Sequence, residues 1–285
     1  MAQYTNQAQL SYKNTVLNSN VAVGEILEVL SASKTAVRDR YSRNDDVTYV
    51  ISIVNSGTTA FTGLTVSDNL GAYEFNGGTL YPLEYAEGSV RVYINGVLQT
   101  APPTVTSLQP LVFSGLSLPA NSNMTIIYEA VTTRFAPLSA AGTITNTATI
   151  SGDGAGSPVT ATATVTAKAE PDLTINKSIE PAVVTENGTV TYTFTIQNYG
   201  NTATAAADNV SVTDTFDPVL SNLSVAFNGT AWTEGTEYTY NAGTGLFTTV
   251  PGQITIPAAT YTQDAETGVW SITPGTGILT VRGTL

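Results

Sequence analysis

Two copies of one strand pattern stand out in the chain, Tyr4-Thr5-Asn6-Gln7-Ala8-Gln9-Leu10-Ser11-Tyr12 and Ile144-Thr145-Asn146-Thr147-Ala148-Thr149-Ile150-Ser151-Gly152. In each copy the apolar residues recur with a period of two, which predicts a β-strand with one buried face. Each copy also places one Asn, Asn6 or Asn146, on that apolar face. Because an unpaired amide in a hydrophobic core is costly, we expect each Asn to have a partner or a chemical role.

The composition is typical of an all-β protein. Only 11% of the 285 residues are charged, and β-branched and aromatic residues occur in short runs separated by Gly, Asn, Ser and Thr. The length predicts two domains of ordinary size. The net charge of -12 argues against nucleic acid or an anionic membrane surface as a partner.

Several classes of site are excluded by residues that the sequence does not contain. It has no Cys and no His, which rules out disulfides, zinc sites built on those ligands, and Ser-His or Cys-His catalysis. The acidic loop at Asn44-Asp45-Asp46 lacks the spaced ligands of a calcium loop. We therefore expect no cofactor, no metal and no enzyme activity beyond a single-turnover reaction of the chain with itself.

No apolar run is long enough to span a bilayer, so we expect no membrane insertion. Met1 to Tyr4 does not read as a signal peptide, and Arg282 to Leu285 does not read as a wall-sorting signal. We expect either that export takes place before the point at which this numbering begins, or that assembly uses a route that needs no signal peptide.

The pattern of residues 30–167 begins again at residue 168. Tyr49 follows Lys34 by fifteen residues, and Tyr192 follows Lys177 by the same separation. Three further matches follow in chain order. Asn55-Ser56-Gly57 matches Asn198-Tyr199-Gly200, Val66-Ser67-Asp68 matches Val212-Thr213-Asp214, and the hairpin turn Asn95-Gly96 matches Asn228-Gly229. We predict an N-terminal donor strand segment at 1–29, one sandwich at 30–167, and an incomplete second sandwich at 168–285.

Three polar residues of the first repeat share the inward parity of their strands, namely Lys34, Asp68 and Asn146. In a dry core the pKa of Lys falls and that of Asp rises, so a neutral amine can attack the Asn carboxamide while a protonated Asp polarises its carbonyl. The product is a Lys-Asn isopeptide bond, with loss of ammonia. The alternatives are a lysine whose ammonium reaches water, a turn-capping carboxylate and an Asn bonded to the backbone.

The second repeat has Lys177 and Asp214 but no counterpart of the Asn146 strand, which leaves its sandwich incomplete and its sheet edge unpaired. The N-terminal strand resembles the missing element. Its inward parity comprises Tyr4, Asn6, Ala8, Leu10 and Tyr12. We predict donor-strand complementation between copies, in which Asn6 reacts with Lys177 of a neighbour to give a head-to-tail homopolymer.

These repeated sequence motifs resemble those of a tandem surface repeat of bacteria classified as a domain of unknown function, number eleven. They also resemble the isopeptide-forming domains of Gram-positive pilins and collagen-adhesin-type proteins. The resemblance rests on the repeated phrases above and on Val47-Thr48-Tyr49, Thr145-Asn146-Thr147-Ala148 and Thr191-Tyr192-Thr193, and it covers nearly the whole chain. It implies an Ig-like β-sandwich fold, an extracellular location such as a cell or spore surface appendage, and a mechanical role.

Another hypothesis is a cell-surface adhesin or stalk that does not polymerise and binds a host or surface ligand through its loops. The loops around Trp232 and Trp270 are the candidate binding region. Tyr49 and Tyr192 are interpreted as core residues, and Asn55 and Asn198 as structural turn residues.

Overall fold

The computed structural model describes residues 2–26, 29–152 and 156–285. Its regular structure is β-strand, apart from one 3₁₀ turn at Ala206–Asp208. Two hydrophobic cores form, one from residues between Leu30 and Ala167 and one from residues between Val190 and Val281. The chain is therefore all-β, as the sequence predicts, with two Ig-like sandwiches preceded by a separate β-segment.

The N-terminal segment is a two-stranded ribbon made of β1 (Ala2–Asn6), β2 (Gln9–Tyr12), β3 (Thr15–Asn18) and β4 (Ala22–Ile26). Strand β1 pairs with β4, and β2 pairs with β3 around a turn at Lys13-Asn14, whose φ angles are 48° and 66°. From the sequence pattern alone, Lys13 to Asn20 is predicted to be a polar turn and Val21 to Leu30 a second strand, of which residues 27 and 28 lie outside the described residues. That prediction is wrong in part, because residues 15–18 pair back on β2 and close the segment into a hairpin.

The first sandwich consists of β5 (Leu30–Ala36), β6 (Arg40–Tyr41), β7 (Asp46–Asn55), β8 (Phe61–Asp68), β9 (Tyr73–Phe75), β10 (Gly78–Leu80), β11 (Leu83–Tyr85), β12 (Arg91–Ile94), β13 (Val97–Leu98), β14 (Thr104–Leu108), β15 (Leu111–Leu118), β16 (Ser122–Thr132), β17 (Thr143–Ser151) and β18 (Val159–Ala167). One sheet has the order β13-β12-β16-β7-β5, with β11 also pairing with β16. The facing sheet has the order β14-β15-β8-β17-β18-β6. The strand alternation places its inward residues, such as Tyr49, Ile51 and Ile53 of β7, in the core between them.

The second sandwich consists of β19 (Leu173–Glu180), β20 (Thr189–Asn198), β21 (Thr213–Thr215), β22 (Ser221–Phe227), β23 (Thr230–Trp232), β24 (Tyr238–Asn241), β25 (Leu246–Thr249), β26 (Thr260–Gln263), β27 (Trp270–Thr273) and β28 (Gly275–Thr284). Its larger sheet has the order β19-β20-β28-β22-β23. The facing sheet has only β21-β25-β24, and β26 and β27 form a separate hairpin.

The two sandwiches differ in the sheet that carries the aspartate. In the first, β8 pairs with β15 on one side and with β17 on the other, and β18 follows β17. In the second, β21 pairs with β25, and no strand among the described residues pairs with its other edge. The second sandwich thus has no described counterpart of β17 and β18.

The hairpin β26–β27 joins the two sandwiches. Its Tyr261 and Ile272 pack against the first core. Gln263 Nε2 donates a hydrogen bond to the hydroxyl of Tyr73 at 2.9 Å. This contact fixes part of the second repeat against the first.

Candidate cross-linking sites

The structure brings Lys34 and Asp68 together inside the first sandwich. Lys34 Nζ donates to Asp68 Oδ2 at 2.5 Å, and both side chains are fully buried. Asp68 Oδ1 accepts the backbone N–H of Leu70 at 3.0 Å. The two residues come from facing sheets, β5 and β8, so their contact crosses the core.

Tyr128 of β16 connects this ion pair to Asn146. Its hydroxyl donates to Asp68 Oδ2 at 2.6 Å and accepts from Asn146 Nδ2 at 3.0 Å. A continuous hydrogen-bonded chain therefore runs from Lys34 Nζ through Asp68 and Tyr128 to the amide nitrogen of Asn146. Tyr128 was not identified from the sequence, although its inward parity in β16 was a usable signal.

Two buried polar atoms at this site have no hydrogen-bond partner among the described residues, the hydroxyl of Tyr49 and Oδ1 of Asn146. The sequence-based mechanism has Asp68 polarising the Asn146 carbonyl directly. In the structure, Asp68 instead reaches the amide nitrogen through Tyr128. The carbonyl oxygen thus lies in a dry core with its lone pairs unsatisfied, which is a costly arrangement.

Burial controls the charge of the lysine. Loss of solvation lowers the pKa of Lys34 to about 8, although the negative charge and hydrogen bond of Asp68 act in the opposite direction. Lys34 Nζ also lies 4.8 Å from the centre of the Tyr49 ring. Burial raises the pKa of the Tyr128 hydroxyl well above its usual value, so this group stays protonated and able to donate.

The second site has the same two charged residues in a more open setting. Lys177 Nζ donates to Asp214 Oδ2, and the two side chains are 41% and 19% exposed. Lys177 Nζ lies 4.6 Å from the centre of the Tyr192 ring. Val281 is opposite Tyr192 in the sheet, where Tyr128 is opposite Tyr49, so the second site has no equivalent hydroxyl at this position.

The candidate donor residues all lie on the surface of the hairpin. Asn6 is exposed and is opposite Ala22 across the β1–β4 ladder. Ala8 is exposed, as are the large side chains of Tyr4, Leu10 and Tyr12, each of which is 59–63% accessible. Within one copy of the chain, the structure therefore does not bring Asn6 to the second site.

The turn asparagines have matching structural contacts in the two repeats. Asn55 Nδ2 donates to the carbonyls of Thr59 and Pro119, each at 2.9 Å, and its Oδ1 accepts from Gly57 N. Asn198 makes the same set of contacts to Thr202, Pro257 and Gly200. These two residues hold a loop in place, as predicted.

The two tryptophans lie at strand ends and are partly exposed. Trp270 begins β27, and its backbone N–H donates to Arg134 O of the first sandwich at 3.1 Å. Trp232 packs against Phe227 with ring centres 5.4 Å apart. Over the described ranges, no cluster of three or more acidic side chains that could hold a metal occurs, and no helix is long and apolar enough to cross a membrane.

Comparison with solved structures finds chains of similar architecture at low sequence identity. The pilus backbone protein RrgB of Streptococcus pneumoniae matches with a TM-score of 0.36 and 12% identity, over 86% of this chain and 55% of that one. The major pilin BcpA of Bacillus cereus, as the D312A variant, matches with a TM-score of 0.39 and 10% identity, over 96% and 73%. The collagen-binding subdomain ACE19 of Enterococcus faecalis matches with a TM-score of 0.33 and 7% identity, over 50% and 99%.

This chain thus spans about half the length of the RrgB structure that it matches. No protein-family model matches the sequence, and no curated protein matches it. These likenesses concern the fold, and the sites described above are assigned from their own geometry.

Proposed function

We propose that this protein is the structural subunit of an extracellular bacterial fibre that assembles head to tail by donor-strand complementation. The observation that carries the proposal is the edge of β21 beside Lys177 and Asp214, which pairs with no strand that the structure describes, in a chain that also carries an exposed strand resembling β17. In this proposal the strand that carries Asn6, residues 2–12 of one copy, completes the second sandwich of the next.

An exposed hairpin and an open sandwich are each unfavourable alone. A two-stranded hairpin is marginally stable in water, and an open sheet edge attracts other strands. Docking between copies buries the apolar residues Tyr4, Leu10 and Tyr12 and pairs the β21 edge. Because the two surfaces differ, each docked copy still presents one of each, and the contact propagates into an open filament.

Within each subunit, we assign Lys34 and Asn146 to an isopeptide bond. Nζ of Lys34 in its neutral form attacks Cγ of Asn146, the Cγ–Nδ2 bond breaks, and ammonia leaves. The proton lost from Nζ passes to Asp68, and Tyr128 gives its proton to the departing nitrogen and takes one from Asp68. This route follows the observed hydrogen bonds and needs no other reactant.

Between subunits, we assign the equivalent bond to Asn6 of the donor and Lys177 of the acceptor, with Asp214 as the acid. Before docking, the Lys177 side chain is 41% exposed to water. An arriving strand that excludes water would favour the neutral amine and place the Asn6 amide beside it. The link would therefore form only after the copies have docked.

The proposal is tested by boiling purified fibres in denaturant and resolving them on a gel. Wild-type fibres should give a ladder of covalent multimers, whereas Lys177→Ala fibres should give monomers. Lys168→Ala is the matched control, because Lys168 is also 41% exposed but pairs only with Glu170 on the surface. A wild-type sample that runs as monomer after assembly would contradict the covalent link.

Deletion of residues 1–20 separates the fibre from the adhesin hypothesis. It should abolish fibre formation and leave both sandwiches folded, since neither core includes a described side chain of the hairpin. A chain that still forms fibres without these residues would overturn donor-strand assembly.

A further inference from the structure

The first sandwich contains a two-stranded element at the place that is empty in the second. Strands β17 and β18 form an antiparallel hairpin in which Asn146 is opposite Ala163 and Ile150 is opposite Val159. Strand β17 pairs with β8, and β18 lies close to β5 of the facing sheet. The two strands therefore cover two different surfaces.

In the second sandwich, no described strand covers either of these surfaces. The edge of β21 has no described partner strand on the side equivalent to β17. The face of β19 that corresponds to the inner face of β5 is also open, since Leu173, Ile175 and Ile179 are 38%, 57% and 40% exposed. A single strand along β21 would leave this apolar face of β19 in water.

The N-terminal hairpin repeats two cross-strand pairs of β17 and β18, with one extra residue in its second strand between them. Asn6 is opposite Ala22, as Asn146 is opposite Ala163. Leu10 is opposite Leu17, which corresponds to Ile150 opposite Val159. In both hairpins, therefore, the reactive amide is opposite an alanine, and two aliphatic residues are opposite each other further along the strands.

The sizes of the facing residues also complement each other. Alanines occupy the β5 positions Ala32 and Ala36, where β19 has the larger Ile175 and Ile179. The hairpin compensates at the position equivalent to Val165, where it has Gly24. The Tyr4 ring packs directly on Gly24, since a Cβ there would lie 2.2 Å from the ring atom Cζ. Interiors conserve total volume, so the smaller residue at Gly24 suits the larger residues of β19.

We infer that the whole hairpin is the donor, with β1 and β2 pairing along β21 and β3 and β4 covering the inner face of β19 of a second copy. This inference rests on the proposed function and adds the second strand to it. Within one subunit, β18 leads into the linker before β19, and β4 leads towards β5 in the same way. The connection between two subunits would then resemble the connection between the two sandwiches of one subunit. The filament becomes a continuous series of similar sandwiches.

Two measurements on fibres of the full-length chain test the proposed function and this inference separately. The chain has no Cys, so introduced thiols are unique. Thr149 pairs with Ser67 in the first sandwich, and the equivalent positions are Gln9 of the donor and Thr213 of the acceptor. A disulfide between subunits in the double variant Gln9→Cys, Thr213→Cys reports that the first strand has docked.

The second measurement is the rate at which a maleimide labels Ile175→Cys before and after assembly. We expect labelling in the fibre to be slower by at least about 100-fold, because β3 and β4 would cover this position. Thr174→Cys, on the opposite face of β19, should react equally fast in both states. Equal labelling of Ile175→Cys in both states, with the disulfide formed, overturns the hairpin donor and retains the single strand. Failure of the disulfide in intact fibres overturns the proposed assembly and this inference with it.

Discussion

Tyr128 and Val281 occupy equivalent positions in the two sandwiches, each directly opposite the tyrosine that lies beside the candidate cross-linking lysine. Tyr128 is opposite Tyr49, and Val281 is opposite Tyr192. Only Tyr128 has a hydroxyl, and that hydroxyl joins Asp68 to Asn146. The two candidate cross-linking sites therefore differ in the route available to a proton.

The first prediction is that Tyr128→Phe slows formation of the Lys34–Asn146 bond by on the order of 100-fold, the usual contribution of a positioned proton-transfer group. The ring and its stacking on Tyr49 remain, so the fold should be kept. Intact mass followed after refolding measures the loss of one ammonia. Tyr85→Phe is the control, because it removes a buried neighbouring hydroxyl outside the chain of hydrogen bonds. Full loss of ammonia at the first time point in Tyr128→Phe would refute the relay.

The second prediction concerns the pH dependence of stability in Asn146→Ala, which cannot form the bond. The pKa of Lys34 is lowered to about 8 in the fold, so the unfolded chain binds more protons between that value and 10.5. The buried Lys34 ammonium therefore destabilises the fold most below pH 8, and this destabilisation decreases as the pH rises. We expect the free energy of unfolding to increase by about 2 kcal/mol between pH 8 and 9.5.

Urea unfolding at a series of pH values measures this change. The double variant Lys34→Met, Asn146→Ala is the control, and its stability should stay nearly constant over the same range. Parallel profiles for the two proteins would show that the lysine is not titrating in the core.

The third prediction is that Leu10→Lys blocks fibre assembly without unfolding the subunit. Leu10 is 62% exposed in the single copy, so its replacement should change the free energy of unfolding by less than about 0.5 kcal/mol. The equivalent residue of the first sandwich, Ile150, is fully buried, and a lysine at such a position would carry an unpaired charge into the core.

Electron microscopy and thermal melting give the two readouts. Ser11→Lys, on the opposite face of β2, should still assemble. Normal fibres from Leu10→Lys would show that this face of the hairpin is not buried between subunits.

The fourth prediction is that Asn55→Ala lowers the free energy of unfolding of the first sandwich by about 2–3 kcal/mol, because it removes two donated bonds and one accepted bond and leaves buried carbonyls unpaired. Denaturant unfolding measures the change. Ser56→Ala, at the exposed neighbouring position, should cost much less. Equal effects of the two substitutions would argue against a structural role for the Asn55 amide.

Part of the first site was predictable because strand parity is a local property. The inward positions of Lys34, Asp68 and Asn146 follow from alternation within single strands, and the structure brings all three into one hydrogen-bonded chain. Tyr128 obeys the same parity. A comparison of the two repeats does not single out Tyr128, since the second repeat has Val281 at that position.

The sequence by itself determined the all-β fold, the duplication and the faces of the principal strands, because a period of two and Asn-Gly turns with positive φ act over a few residues. Tertiary structure alone decided which strands are neighbours. It folded residues 15–18 back onto β2, placed Tyr128 between Asp68 and Asn146, and left the inner face of β19 without a covering strand in the described part of the chain. Pairing between strands depends on contacts distant in sequence, and local alternation carries no information about them.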